Sequence, residues 1–241
     1  MQLEAIAAAL WRANHVAVLT GAGMSAESGV PTFRDAQTGL WAQYRPEDLA
    51  TPEAFARQPE LVWRWYAWRR ELVAAAEPHI GHRSLAALAA NLPGFVLITQ
   101  NVDGLHQRAG SPDVIELHGN IMRTICSACL RCVESWSDDW IPPRCPTCGS
   151  PLRPDVVWFG EPLPRGALQA ANAAVEAADV ILVVGTSGLV DPAASLPRRA
   201  LARGAMVVEI NLEPTPLTRS ATAFVTGTAG SILSQLADRL C

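Results

Sequence analysis

Residues 15–35 read His15-Val-Ala-Val-Leu-Thr-Gly-Ala-Gly-Met-Ser-Ala-Glu-Ser-Gly-Val-Pro-Thr-Phe-Arg-Asp35. The apolar run His15–Thr20 has the look of a strand buried on both faces, and it runs straight into glycines. Gly21, Gly23 and Ala26 fit G-x-G-x-x-G/A, a turn whose backbone N–H groups approach a pyrophosphate at a helix N-terminus. A tight strand-to-helix turn with no ligand fits the same residues, so the stretch speaks for the fold before it speaks for chemistry. A dinucleotide dehydrogenase would continue through a helix into a second strand ending in an acid. Here Pro31 stops the helix early, and the loop Phe33-Arg34-Asp35 offers an aromatic face, a cation and an acid. Hydride transfer is therefore the weaker nucleotide-dependent reading.

Working outward, similar apolar runs recur at Phe95–Thr99, Val114–Leu117, Asp179–Val184 and Met206–Ile210. Helical spacing with few breakers covers 2–13, 83–91, 165–177, 193–202 and 231–240. Strands of this kind alternating with helices predict a parallel sheet covered on both faces. Two stretches break the rhythm: 36–80 is rich in Trp and Arg and helical, and 120–154 carries cysteines and prolines. The expected fold is α/β, a Rossmann-like doubly wound domain of residues 1–35, 81–119 and 155–241. A helical insertion (36–80) and a zinc-binding insertion (120–154) would form a smaller lobe.

Composition excludes several mechanisms. The 241 residues include 19 basic ones, all arginine, so no Schiff-base lysine or Walker-type phosphate lysine exists here. A net charge of -4 opposes general attraction to nucleic acid or anionic membrane. The N-terminal stretch has Glu4 before any positive charge, unlike a signal peptide, and the longest apolar runs are strand-sized. The expectation is a soluble, cytoplasmic protein with no nucleic-acid or membrane partner.

Five of the six cysteines lie between Cys126 and Cys148. Cys126-x2-Cys129-x15-Cys145-x2-Cys148 has the spacing of a tetrahedral structural zinc site, closed by four thiolates. Cys129-x2-Cys132 is an equally legal pair by spacing. Gln100, Asn101 and Asp103 end the Phe95–Thr99 run, at the edge where open α/β sheets bind ligands. A polar turn satisfying its own backbone would use the same residue types.

The string GAGMSAESGVPTFRD resembles the NAD-binding motif of the sirtuin family of protein-lysine deacylases. Further matches follow in order: TQNVDGLH (99–106), LHG (117–119), the paired cysteines, PDVVWFGE (154–161), GTS (185–187) and NLE (211–213). The resemblance spans nearly the whole chain. It implies NAD+ as cosubstrate, with release of nicotinamide and O-acyl-ADP-ribose, and His118 and Asn101 as catalytic residues. His118 would act as general base on a ribose hydroxyl, a role that suits an imidazole at neutral pH. By the same resemblance the cofactor is held by Gly21, Ala22, Gly23, Ser25, Glu27, Thr32, Phe33, Arg34 and Trp41 in the first loops. Gln100, Asn101, Val102 and Asp103 would take the nicotinamide side. Gly185, Thr186 and Ser187 would take phosphate and ribose, and Asn211, Leu212, Glu213 and Ala229 the adenosine. Family register favours Cys126 and Cys129 as zinc ligands with Cys145 and Cys148, leaving Cys132 and Cys241 free.

Trp158-Phe159-Gly160-Glu161 resembles the family's substrate strand, opposed by Gly188 and Leu189, so an acyl-lysine peptide would add between them as an extended strand. Val157 and Trp158 would line the acyl-lysine tunnel. Asp191 stands where close relatives often carry Tyr. Tyr66 and Arg69 lie three apart on one helical face, which an ordinary amphipathic helix would also produce. With Ala50, however, Tyr-x-x-Arg resembles the desuccinylase and demalonylase branch, where the pair grips the terminal carboxylate of the acyl group. Plain deacetylation is the alternative specificity. A mono-ADP-ribosyltransferase using the same cofactor and a zinc-bearing nucleic-acid module are the remaining classes.

Overall fold

The computed structural model describes residues 2–31 and 44–241. Thr32, Phe33, Arg34 and Trp41 lie outside the described residues. In chain order the elements are α1 (Gln2–Arg12), β1 (Val16–Thr20), α2 (Pro46–Leu49), α3 (Pro52–Arg57), α4 (Pro59–Ala75) and α5 (Ile80–Asn91). Then come β2 (Phe95–Thr99), α6 (Leu105–Arg108), β3 (Ile115–Glu116), β4 (Gly119–Cys126), β5 (Leu152–Val156) and α7 (Arg165–Ala177). The chain closes with β6 (Val180–Val184), α8 (Leu196–Ala202), β7 (Met206–Asn211), β8 (Ala223–Thr226) and α9 (Ala229–Leu240).

Local chemistry sets several boundaries. Thr51 caps α3 by accepting from the Ala54 N–H at 3.0 Å, with Pro52 in the first turn, where its missing N–H costs nothing. Thr228 caps α9 in the same way. The helix expected over 193–202 begins at Leu196, after a 3-10 turn at Ala193–Ser195, with Pro197 in its first turn. β8, the last strand of the sheet, has no counterpart in the sequence reading.

The main sheet has order β3-β2-β1-β6-β7-β8 and every pairing in it is parallel. Leaving out β4 and β5, which form their own antiparallel pair, this is the doubly wound 3-2-1-4-5-6 order. The strand order reverses between β1 and β6. Thr20 is level with both Thr99 and Val184, so three strand ends open side by side at the carboxyl edge.

Alternate residues of these strands feed two cores, because successive side chains point to opposite faces. Val16, Val18, Leu97, Leu182 and Val208 pack under α1, α5 and α9. Ala17, Leu19, Ile98, Ile181 and Val207 pack under α7 and α8. A third cluster joins the helical insertion to the hairpin: Leu49, Phe55, Trp65 and Tyr66 meet Ile121 and Trp158. Arg70 of α4 fastens that contact. Its Nε donates to the Ile121 carbonyl at 2.6 Å and its Nη2 to the Arg123 carbonyl and Thr124 Oγ1, both at 2.9 Å. Among the described residues no helix is long and apolar enough to cross a membrane.

Candidate active site and metal centre

The glycine turn is built differently from the sequence expectation. Two single 3-10 turns, Ala22–Met24 and Ala26–Ser28, follow β1 in place of a helix. The Gly21 N–H donates to the Val184 carbonyl at 3.0 Å and the Gly23 N–H to the Gly185 carbonyl at 2.8 Å. These two donors are engaged by protein carbonyls. The glycines are needed for close approach: a Cβ on Gly23 would sit 2.9 Å from Gly185 Cα, and one on Gly21 2.7 Å from Thr186 Cβ. The β1 and β6 loops therefore touch backbone to backbone at the switch point.

The polar residues after β2 converge there. Asn101 Nδ2 donates to the Gly21 carbonyl and to Ser25 Oγ, both at 3.0 Å. Ser25 Oγ in turn donates to Asp103 Oδ2 at 2.7 Å, and Asp103 Oδ1 accepts the Leu105 N–H at 2.9 Å. Burial pushes the Asp103 carboxyl above its ordinary range, against the opposing pull of the Leu105 and Ser25 donors and Arg108. Gln100 Nε2 donates to Thr186 Oγ1 at 3.0 Å, and Asn211 Nδ2 to the Thr186 carbonyl at 2.9 Å, so β2, β6 and β7 are stitched across their ends. Thr20 Oγ1 bonds Thr99 Oγ1 at 2.8 Å and His106 Nε2 at 2.9 Å beneath them. From sequence alone Thr20, Thr99 and His106 have no assigned role, although Thr99 and His106 are the two ends of the TQNVDGLH stretch.

His118 is half-buried in the loop between β3 and β4, its Nδ1 2.8 Å from the Gln100 carbonyl oxygen. A carbonyl only accepts, so Nδ1 carries the proton and Nε2 keeps its lone pair. Burial lowers the imidazole pKa, against the opposing pull of that carbonyl. The ring is a neutral base at neutral pH.

Other expected cofactor residues are placed less directly. Glu27 accepts the Gly230 N–H at 2.7 Å and the Thr228 hydroxyl at 3.0 Å, so its carboxylate sits at the N-terminus of α9. Ala229 is buried in the α1/α5/α9 core. Leu212 and Glu213 are exposed beyond the end of β7, and Val102 is half-buried beside the α4 cluster.

Residues 157–161 form a turn after β5 and not a strand. The N–H groups of Val157, Trp158 and Phe159 donate to the His118 carbonyl, Glu161 Oε2 and the Ala50 carbonyl, and that of Glu161 to the Trp158 carbonyl. Under this turn, Arg153 makes a two-pronged ion pair with Glu161, at 2.5 and 2.8 Å, and its guanidinium lies 3.3 Å from the Trp158 ring centroid. Phe159, Leu189 and Val190 are exposed apolar side chains. Gly160 and Gly188 both adopt positive φ, at +89° and +64°.

Ala50, Tyr66 and Trp158 share one buried cluster. Trp158 Nε1 is 2.9 Å from the Tyr66 hydroxyl. An indole N–H only donates, so the phenol oxygen accepts and the phenol proton is directed elsewhere. Burial holds the Tyr66 hydroxyl protonated, and burial lowers the Arg69 pKa while Tyr66 opposes that shift. Arg69, half-buried one helical turn on, places its guanidinium 5.2 Å from the Trp65 ring centroid.

Cys126, Cys129, Cys145 and Cys148 bring their sulfurs within 4.8 Å of one another, with Cys126–Cys148 at 3.4 Å and Cys129–Cys145 at 3.9 Å. A zinc tetrathiolate with ~2.3 Å bonds has sulfurs about 3.8 Å apart, so the four residues fit the metal. Each pair sits on a matching turn. The N–H of Leu130 (φ 58°) donates to the Cys126 carbonyl, and that of Gly149 (φ 74°) to the Cys145 carbonyl. Cys132 pairs with Ile125 in an isolated bridge and lies outside the four, which resolves the spacing ambiguity.

The doubly wound 3-2-1-4-5-6 sheet, with polar groups gathered at its switch point, has the architecture of dinucleotide-binding enzymes, and a four-cysteine lobe is added to it. The Sir2 family model matches residues 21–192, and the chain belongs to that family. It is 54% identical over 237 residues to NAD-dependent protein deacylase 2 of Pyrobaculum aerophilum, covering 98% of this chain and 94% of that one. It is 47% identical to NAD-dependent protein deacylase 1 of Pseudomonas aeruginosa, covering 98% of each. Among solved structures, a crystal structure of a Sir2 homologue–NAD complex superposes with TM-score 0.92 at 49% identity, covering 98% of this chain and 93% of that one.

Proposed function

We propose that this protein is an NAD-dependent protein-lysine deacylase that prefers acidic acyl groups, succinyl or malonyl, over acetyl. The deacylase reading rests on family membership and on the Asn101–Ser25–Asp103 and Gln100–His118 contacts at one sheet edge. When bound, NAD+ supplies an electrophilic ribose carbon and the hydroxyl that finally carries the acyl group. Asn101 and Asp103 orient its nicotinamide end. Thr186 and Ser187 hold phosphate and ribose, and Asn211 and Glu213 the adenosine side. His118 Nε2 removes the proton of the attacking ribose hydroxyl, while the Gln100 carbonyl holds the ring in the required tautomer.

The peptide lies as an extended strand between 157–161 and 188–190, flanked by Phe159, Leu189 and Val190. With four N–H groups of the turn already engaged, its pairing on that side relies on carbonyl acceptors. The acyl chain passes Val157 and Trp158 to reach Ala50, Tyr66 and Arg69. The preference rests on the buried Tyr66 phenol and the Arg69 guanidinium on the same face of α4, the latter 5.2 Å from the Trp65 ring centroid. They form a donor pair matched to a carboxylate, and the small Ala50 leaves length for the chain. The cysteine quartet holds zinc as a structural ion remote from the proton transfers.

The test is kcat/KM for succinyl- and acetyl-lysine versions of one peptide, in the native protein and Arg69→Met. A succinyl preference lost in the variant supports the reading. A native preference for acetyl makes this a plain deacetylase. Transfer of labelled ADP-ribose to protein in the absence of any acyl-lysine would favour the transferase alternative.

A further inference from the structure

His118 sits in the two-residue loop between β3 and β4, and a side chain outside every motif described above closes that loop. Glu116, the last residue of β3, has a largely buried carboxylate with 13% of its side chain exposed. Its Oε1 accepts from Asn120 Nδ2 at 2.8 Å and from Gln107 Nε2 at 2.7 Å. Its Oε2 pairs with the Arg123 guanidinium at 2.7 Å, and Arg123 Nε reaches Asp155 Oδ2 on β5 at 2.7 Å. Glu116 therefore grips the residue four positions on, spanning Leu117, His118 and Gly119. It ties that span to α6 through Gln107 and to both hairpin strands through Arg123.

The backbone needs such a clasp. Gly119 lies at φ +79°, where a Cβ would fall 2.1 Å from the Asp155 carbonyl, and the β4–β5 register shifts between Asn120 and Thr124. The ladder on the far side of His118 is thus irregular. The ring itself is held by one hydrogen bond, to Gln100.

We infer that Glu116 is a positioning residue for the deacylation step, holding the His118 loop so that Nε2 meets the ribose hydroxyl. This rests on the reading of His118 as the general base. Misplacement of a reacting group by about 1 Å costs up to about a hundredfold in rate.

The experiment measures steady-state kinetics with NAD and a succinyl-lysine peptide for Glu116→Ala, Glu116→Gln, Asn120→Ala and His118→Ala, with thermal midpoints alongside. Glu116→Ala is expected to lose tenfold or more in kcat with KM for NAD within twofold of native. Glu116→Gln, whose amide oxygen still accepts from Asn120 and Gln107, is expected to return to within about threefold. If Glu116→Ala does not fold, Asn120→Ala removes the Glu116–Asn120 clasp together with the acceptor of the Met122 N–H, leaves Glu116 its Gln107 and Arg123 partners, and is expected to show the same kcat-specific loss. Native kcat in Glu116→Ala, or equal losses of kcat, NAD affinity and thermal midpoint in the Ala and Gln variants, overturns the inference. Turnover surviving in His118→Ala overturns instead the reading on which it rests.

Discussion

Removing one oxygen, in Tyr66→Phe, separates the two roles of the phenol. Tyr66 and Trp158 are 3% and 2% exposed, so the indole N–H has no solvent to turn to once its acceptor at 2.9 Å is gone. Leaving a buried donor unsatisfied costs about 1–3 kcal/mol of folding free energy. The second role is toward substrate. Because Trp158 donates to the phenol oxygen, the phenol proton is available to an acyl carboxylate, and a hydrogen bond to a charged group contributes roughly 1.5–3 kcal/mol. With tenfold for every ~1.4 kcal/mol, kcat/KM for succinyl-lysine peptide should fall about 10- to 150-fold. The acetyl-lysine substrate has no carboxylate to lose, so the succinyl-to-acetyl ratio falls by most of that factor. Denaturant melts read the first role, and kcat/KM on matched peptides reads the second. A destabilised variant whose succinyl-to-acetyl ratio equals the native ratio would refute the substrate role of Tyr66 while keeping its structural one.

Three further outcomes are expected. His118 must be neutral to act as a base and burial lowers its pKa, so the acid limb of kcat/KM should lie below the ordinary imidazole value of ~6.5; a limb above it contradicts the buried-base account. Asp103 has a raised pKa, so its ionised form opposes folding above the ordinary carboxylate pKa, and this opposition fades as pH falls through the raised value. Asp103→Asn should therefore gain more unfolding free energy at pH 7 than at pH 4 while weakening NAD binding; a variant less stable at pH 7 would contradict this. Cys132→Ser should retain one zinc per chain and Cys145→Ser should not, with chelation unfolding the small lobe and activity falling in step; metal analysis beside circular dichroism decides.

The alternation of His15–Thr20, Phe95–Thr99 and Val180–Val184 with helical stretches was enough to predict the doubly wound sheet. Those strands are buried on both faces and so carry their signal locally. The cysteine quartet was legible too: spacing alone left Cys132 as a second register, family resemblance favoured Cys126 and Cys129, and the clustered sulfurs agree with that choice. What spacing does not carry is long-range. Gly21 and Gly23 match a phosphate fingerprint, yet what demands glycine there is Gly185, far along the chain. The Tyr66–Trp158 hydrogen bond joins residues 92 positions apart. Leu130 occupies a left-handed position that its partner turn gives to Gly149, so the first cysteine knuckle lacks the usual glycine cue. The 157–161 segment has strand composition but becomes a turn, because Glu161 folds back onto the Trp158 N–H and the Arg153 guanidinium. Glu27 lies in the cofactor motif, and its reach to the N-terminus of α9 joins residues about two hundred positions apart.

The most direct measurement is mass spectrometry of products from one lysine peptide in succinyl, malonyl, acetyl and unmodified forms, each with and without NAD. NAD-dependent deacylation is expected, with nicotinamide and O-acyl-ADP-ribose formed in step, fastest for the succinyl and malonyl peptides. Acyl peptides left intact in the presence of NAD, or deacylated equally without it, would contradict it.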